Sequence, residues 1–159
     1  MTAAARTKPT ATREVTITRV LNAPRDVVFR AWVDPEQLAQ WWGPHSFTNP
    51  ICQLDVRVGG AILIHMRAPD GTVYPMTGTF REIVAPGRLV FLAVAEDSDG
   101  RPHLESLTTV TFEAQGSKTK LTVHATAVGF SDAAPAMLGG MEAGWTQSLE
   151  RLAGLVAAV

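Results

Sequence analysis

Four histidines, one cysteine and a thin scatter of carboxylates are the side chains of this sequence that could carry acid–base, nucleophilic or metal chemistry. His45, His65, His103 and His124 fall in different segments without an HxH or HExxH spacing, so no metal centre is expected. His65 and His124 alternate with apolar residues in extended runs, and either could supply an enclosed site with its polar contact. A histidine satisfied on an outer sheet face is the more economical reading. Asp55 and Arg57 share one face of an extended segment before Gly59-Gly60. As a pair they could orient a ligand's polar end, and a surface salt bridge is the simpler account. Glu82, Glu96, Glu105 and Glu113 form no recognisable acid/base pair, so no general base can be named. Cys52 has no activating neighbour in sequence and reads as a small buried hydrophobe. A nucleophile elbow, a phosphate loop and a dinucleotide fingerprint are all missing, because the glycines between 139 and 144 fall in a helical segment and follow no strand. Neither a catalytic residue nor a cofactor is expected.

What the sequence offers instead is apolar surface suited to holding a molecule. The four tryptophans are Trp32, Trp41, Trp42 and Trp145, the first three on two short helical segments. Such rings could gate a cavity and stack on a flat ligand, or simply fill the junction of helix and sheet. Met66, Met76, Met137 and Met141 suit an adaptable lining and are equally ordinary core filler. Gly140 and Gly144 interrupt a helical stripe, where an interior glycine costs ~1 kcal/mol against alanine. Close approach of helix to sheet, or room left for a ligand, would offset that.

These residues must be placed by elements that the periodicity makes legible. Glu14 to Asn22 alternates as a half-buried strand, with Val15, Ile17 and Leu21 in phase. Pro24 suits the first turn of a helix carrying Val27, Val28, Ala31 and Trp32, and Asp34-Pro35 caps a second that ends at Gly43-Pro44. Period two then predicts strands at about 51–57, 61–67, 73–84, 88–96, 105–114 and 118–127. The separators are turn chemistry, including Pro69-Asp70-Gly71, Pro86-Gly87, Asp97-Ser98-Asp99-Gly100 and Gln115-Gly116-Ser117, so neighbours are antiparallel. Ser131-Asp132 can cap a last long helix whose stripe is Met137, Met141, Trp145, Leu149, Leu152 and Val156. The economical packing is α+β: one strongly twisted seven-stranded sheet with that helix across its concave face, the two diverging to leave a cavity.

Composition bounds the partners. The 159 residues are 46% hydrophobic, and a chain of this length forms one domain without metal or disulfide support. Fourteen Lys plus Arg against fifteen Asp plus Glu give a formal charge of −1, which provides no positive field for nucleic acid or anionic lipid. The apolar runs fall short of the ~18 residues a membrane span needs. Residues 1–13 lack the apolar core of a secretory signal and read as a flexible tail with a faint transit-peptide character, ahead of a single domain over 14–159. With Cys52 the sole cysteine, a cytoplasmic location is expected.

The order of elements and the residues at their junctions resemble the SRPBCC superfamily, the START-like or helix-grip fold shared with the birch-pollen allergen and polyketide cyclases. Within it they are most similar to the AHSA-type branch, named for homologues of the activator of the 90-kDa heat-shock chaperone's ATPase. The residues carrying the resemblance are Ala23-Pro24 leading to Val28-Phe29-Arg30-Ala31-Trp32, Asp34-Pro35, Trp41-Trp42-Gly43-Pro44 and Asp55-x-Arg57-x-Gly59-Gly60. They continue with Pro69-Asp70-Gly71, Gly78-x-Phe80-x-Glu82-Ile83, Gly140-Met141 and Gly144-Trp145. The resemblance implies the fold and a cavity more directly than a task. These residues hold no counterpart of the additional N-terminal domain by which such a co-chaperone grips its client.

The expectation is therefore a non-enzymatic module holding a small apolar or amphipathic molecule between sheet and last helix. In the family's usual phase the ligand-binding residues would be Trp32, Trp42, Ile62, Ile64, Met66, Met76, Phe91, Met141 and Trp145. One alternative is a cyclase- or hydrolase-type enzyme that encloses its substrate and uses water, Tyr74 or a histidine for proton transfer. Another is a chaperone co-factor or other protein-interaction module. The open sheet edges also leave room for a homodimer.

Overall fold

The computed structural model describes residues 11–96 and 101–158, together with Pro9 and Asp99. The chain runs β1 (Ala11–Leu21), α1 (Arg25–Val33), α2 (Pro35–Trp41), β2 (Thr48–Leu54), β3 (Ala61–Arg67), β4 (Val73–Val84), β5 (Arg88–Glu96), β6 (Pro102–Gln115), β7 (Lys118–Gly129), α3 (Ala134–Gly139) and α4 (Met141–Ala157). All strands lie in one curved antiparallel sheet of order β1-β7-β6-β5-β4-β3-β2. This is the α+β helix-grip architecture. Most of the described turn of the tail into sheet occurs at β1, which begins at Ala11, so Arg13 belongs to the strand; residues 1–8 and 10 of the expected tail lie outside the described residues.

Local chemistry explains the two short helices. The Pro24 carbonyl accepts from the N–H groups of Val27 and Val28, which opens α1, and Asp34 ends it by donating its N–H to the Arg30 carbonyl. The Asp34 carboxylate then accepts from the Glu36 N–H at 3.0 Å, capping α2 behind Pro35 at its first position. Both helices bury one side: Val28, Ala31, Trp32, Leu38 and Trp41 join Phe112, Val110, Leu121 and Val123 from the sheet in one core. Trp32 and Trp41 meet edge to face at 4.6 Å between ring centroids, and the Trp41 indole N–H donates to the Ala31 carbonyl.

Several further boundaries differ from the periodic reading. β2 starts at Thr48 and stops at Leu54, because Asp55 donates to the Ala61 carbonyl and the chain turns at once. β6 and β7 extend to Pro102 and Gly129, paired with each other from Leu104–Gly129 to Gln115–Lys118, while Pro102 pairs with Glu96 of β5. The last helix is two helices, broken where consecutive glycines, Gly139 and Gly140, remove helix propensity. Neither Ser131 nor Asp132 caps it: α3 begins at Ala134 behind Ala133, which has no capping side chain, and Ser131 contacts His103 instead. Of the turn expected at 97–100, only Asp99 lies within the described residues.

The stripe predicted for the last helix meets two environments. Leu149, Leu152 and Val156 are fully buried, whereas Met137, Met141 and Trp145 are only half-buried. α4 approaches β1, α1 and α2, and α3 approaches β1 and β7, leaving the inner faces of β4 and β5 uncovered by helix backbone. Two arginines hold this roof. Arg13 donates to the carbonyls of Leu138 and Gly139 at the end of α3 and pairs with Glu142. Arg151 donates to the carbonyls of Gln40, Trp42, Gly43 and Pro44, capping the C-terminal end of α2 from α4. Urea unfolding of Leu152→Ala is expected to show a loss of ~2–5 kcal/mol, while Met141→Ala, on the same stripe, costs less than ~1 kcal/mol. Equal losses would mean that the two ends of the stripe are packed alike.

Candidate functional site

A row of small residues runs across the sheet at one level. Gly78 on β4 faces Ala93 on β5, Ala93 faces Ser106 on β6, and Ser106 faces Ala127 on β7. Side chains this small cannot reach the half of the roof that is not pulled down into the core. Gly78 itself is required by close backbone approach, since a Cβ there would lie 2.2 Å from the Leu92 carbonyl oxygen. The space left above the row is a cavity of about 810 Å³, within the usual range of small-molecule sites.

Its floor comes from the inward faces of five strands: Met66, then Tyr74 and Met76, then Phe91, Ala93 and Ala95, then Leu104, Ser106 and Thr108, then Ala127. Its roof is Met137 from α3 and Met141, Gly144, Trp145 and Ser148 from α4. Trp42 and Gly43 close one end. There Trp145 meets Trp42 edge to face at 5.6 Å and stacks on Trp32 at 6.0 Å, and Trp42 also contacts Phe91 at 6.2 Å. Val73 and Tyr74 line the cavity while remaining 43% and 46% exposed, which marks its opening to solvent.

Of the residues expected at a ligand site, Trp42, Met66, Met76, Phe91, Met141 and Trp145 stand on this wall. Trp32, Ile62 and Ile64 do not. They are buried behind it around a void of about 10 Å³, with room for no more than a water molecule. Ile62 and Ile64 share the inward phase of Met66, but they sit further along β3 beneath α2 and the aromatic cluster, so packing takes them. Met137, weighed as an adaptable lining residue, and Tyr74, weighed as a proton-transfer group of the enzyme alternative, also line the cavity. Ser106, Thr108, Ala93, Ala95 and Ala127 were not foreseen, because small residues in strands carry no signal until the register aligns them.

The loop bearing Trp42 is clamped to α4. Gly43 donates its N–H to Ser148 Oγ at 3.1 Å, His45 donates its N–H to Gln147 Oε1 at 3.0 Å, and the His45 ring faces Glu150. Asn49 adds two hydrogen bonds from below, to the carbonyls of Ala39 and Trp42. Gly43 has a φ of 97°, and a Cβ there would press to 2.9 Å from the Met66 sulfur. Gly144 is the opposite case: nothing lies within 4 Å of where its Cβ would be, so of the two offsets the sequence allowed, room and not close approach applies.

The polar candidates separate cleanly. His124 pairs with Glu14 on the outer face, and Asp55 and Arg57 form an exposed salt bridge at 2.8 Å away from the cavity. His103, noted in the sequence only as one of four scattered histidines, lines the cavity and contacts Ser131 Oγ through Nδ1 at 2.8 Å. Glu96 stands on the same wall. Thr108 is 1% exposed and its Oγ1 has no hydrogen-bond partner. Cys52 is half-buried, and desolvation, reinforced by the negative charge of Asp34, pushes its thiol up to about 11. Among the described residues no group of three or more His, Cys, Asp or Glu could hold a metal ion, and no helix is long and apolar enough to cross a membrane.

The sequence profile described as "Activator of Hsp90 ATPase homolog 1-like protein" matches residues 22–157. A crystal structure of a protein from Chromobacterium violaceum is 31% identical, with a TM-score of 0.75 over 91% of this chain and 97% of that one. The AHSA1 protein from Silicibacter pomeroyi is 26% identical, with a TM-score of 0.77 over 92% and 99%. A protein from Arthrobacter aurescens is 25% identical, with a TM-score of 0.78 over 96% and 94%. No curated protein matches the chain.

Two measurements check the geometry. Because the raised pKa keeps the Cys52 thiol protonated through neutral pH, its alkylation at pH 8 is expected to be roughly a hundredfold slower than that of a free thiol and to accelerate as pH climbs toward 11; reaction at the free-thiol rate would refute the burial. Gly144→Ala is expected to raise stability by ~0.5–1 kcal/mol, since the helix gains propensity and the methyl enters open space. A destabilised variant would show that the roof lies closer to the floor.

Proposed function

Because this chain belongs to the Activator of Hsp90 ATPase homolog 1-like family, and its fold encloses about 810 Å³ between sheet and roof, we propose that it is a START-like small-molecule-binding protein. The ligand is apolar or amphipathic and lies between the curved sheet and the C-terminal helices. The cavity is the observation that carries the reading. Its wall combines rigid aromatic rings, Trp42, Phe91 and Trp145, with the adaptable side chains of Met66, Met76, Met137 and Met141. Such a lining accepts varied apolar shapes, and the cost of leaving it wet is relieved by a guest.

The enzyme alternative draws on His103, Glu96 and Tyr74, which stand on the wall. Tyr74 is near the opening, and Ser131 Oγ, 2.8 Å from His103 Nδ1, is not among the residues of the cavity wall, so among the described residues that pair presents no nucleophile to the interior. The family's description supplies the chaperone reading, and stimulation of an Hsp90-type ATPase by the purified protein would favour it.

Titrating the tryptophan fluorescence with lipids, flavonoids and polyketide-like aromatics is expected to reveal saturable binding at one site. Ala93→Leu, which places bulk on the floor of the cavity, should weaken that binding at least ~tenfold without lowering the melting temperature. Unchanged affinity in this variant would place the ligand elsewhere, and the absence of any saturable ligand would defeat the proposal.

A further inference from the structure

The end of the sheet opposite the cavity mouth carries a surface that the proposed binding role does not use. β4 begins at Val73, beside the opening, and ends at Val84, so the β2–β3 and β4–β5 turns stand at the far end with the β1–α1 and β6–β7 connections. Four of the seven large hydrophobic side chains exposed among the described residues gather there: Val20, Val56, Val58 and Val84, between 42% and 61% exposed. A single exposed valine is ordinary, whereas a clustering of this kind marks a contact surface.

The charges separate along the same axis. Within residues 19–26, 55–60, 81–88 and 113–120, Arg57 pairs with Asp55 and Arg88 with Glu82, which leaves Arg19, Arg25, Arg81, Lys118 and Lys120 against Asp26 and Glu113. None of those five cations forms an ion pair among the described residues, and all but Lys120 are exposed. This end is net basic in a chain whose formal charge is −1. The near-neutral composition, read above as offering no positive field, conceals one that the fold assembles. The valine-bearing turn is stitched to it. Gly59 donates its N–H to the Phe80 carbonyl and the Phe80 N–H donates to the Gly60 carbonyl, one residue from Val58 and one from Arg81. The Arg25 guanidinium reaches the β4–β5 turn, 3.5 Å from where a Cβ on Gly87 would lie.

Short aliphatic side chains among unpaired cations match the chemistry of an anionic bilayer interface, where methyl groups enter the headgroup boundary and Arg and Lys meet lipid phosphates and carboxylates. Tyr74, the exposed aromatic residue among the described ones, stands at the mouth. The far end thus lacks both the stacking platform of a single-stranded nucleic-acid site and the aromatic anchors of a protein hot spot. We propose that this end docks on an acidic membrane surface, with Val56, Val58 and Val84 at the hydrocarbon boundary, Arg25 and Arg81 on lipid headgroups, and the cavity mouth facing away from the bilayer. The docking is independent of what the cavity holds.

The test is flotation of the full chain with large unilamellar vesicles of phosphatidylcholine, alone or with ~30% phosphatidylserine, in about 0.1 M NaCl. Binding to the acidic vesicles is expected to be at least roughly tenfold tighter than to the neutral ones and to fall as salt is raised. Arg25→Glu and Arg81→Glu should each weaken it roughly fivefold or more, whereas Arg67→Glu, the same charge change toward the mouth, should leave it within about twofold. The double variant Val56→Ser/Val58→Ser should also weaken it roughly fivefold or more. Every one of these side chains is exposed, so the variants should melt with the parent. No binding to the acidic vesicles, equal binding to the neutral ones, unchanged binding in both Arg25→Glu and Arg81→Glu, or an equal loss in Arg67→Glu overturns the proposal. Loss in the arginine variants with full retention in the valine variant also overturns it, and would assign a purely ionic surface of the kind that takes nucleic acid or an acidic protein. None of these failures touches the reading of the cavity.

Discussion

Burial of the C-terminal half of α4 is the interaction on which the rest of this structure depends. Leu149, Leu152 and Val156 are fully enclosed in the core formed with α1, α2 and the sheet, each contributing on the order of 1.5–3 kcal/mol by leaving water. That anchoring fixes one end of the roof at core depth. Between that end and α3, which packs on β1 and β7, the first turns of α4 overlie β-residues too small to meet them. The cavity is the geometric remainder of a helix pinned at one end above a sheet whose inward side chains shrink from Phe80, Phe91 and Phe112 to Gly78, Ala93, Ser106 and Ala127.

The polar contacts reinforce this arrangement and do not compete with it. Arg151 gathers four carbonyls at the end of α2, where helix geometry leaves acceptors without intrahelical donors, and so ties the Trp42 loop to α4. Arg13 does the same at the end of α3 from the edge strand. Both cations are thus consumed in building the walls, and the lining they leave is mostly hydrocarbon, with the Ser106 and Thr108 side chains, His103 and Glu96 among its polar members.

The fold was legible because each element carries its own local signal. Alternation marked β3, β4 and β5 with their observed limits, and Asp34-Pro35 announced α2 through capping chemistry that needs no tertiary partner. The site was legible only where its residues are large. Trp42, Phe91, Met141 and Trp145 stand out in any apolar pattern and do line the cavity. Trp32, Ile62 and Ile64 look the same in sequence and are packed behind it, since which inward residue meets a void depends on what overlies it. The hairpins about 97–100 and 115–117 do imply that Ala93, Ser106 and Ala127 align, so the small row could have been read from register had strand pairing been carried through residue by residue.

Sequence alone determined the seven strands, the two short helices after the first of them, the helical C-terminal segment and the family resemblance, because propensity, periodicity and turn chemistry act over a few neighbouring residues; that this last segment divides into two helices was not read from it. Tertiary structure decided that one apolar stripe would be core at Leu152 and roof at Met141, that Arg13 would brace a helix over a hundred positions away in the chain, and that the Thr108 hydroxyl would lie buried without a partner. Those outcomes depend on the height of the last helices above the sheet, a distance set jointly by side chains from every strand and helix and encoded in no single segment.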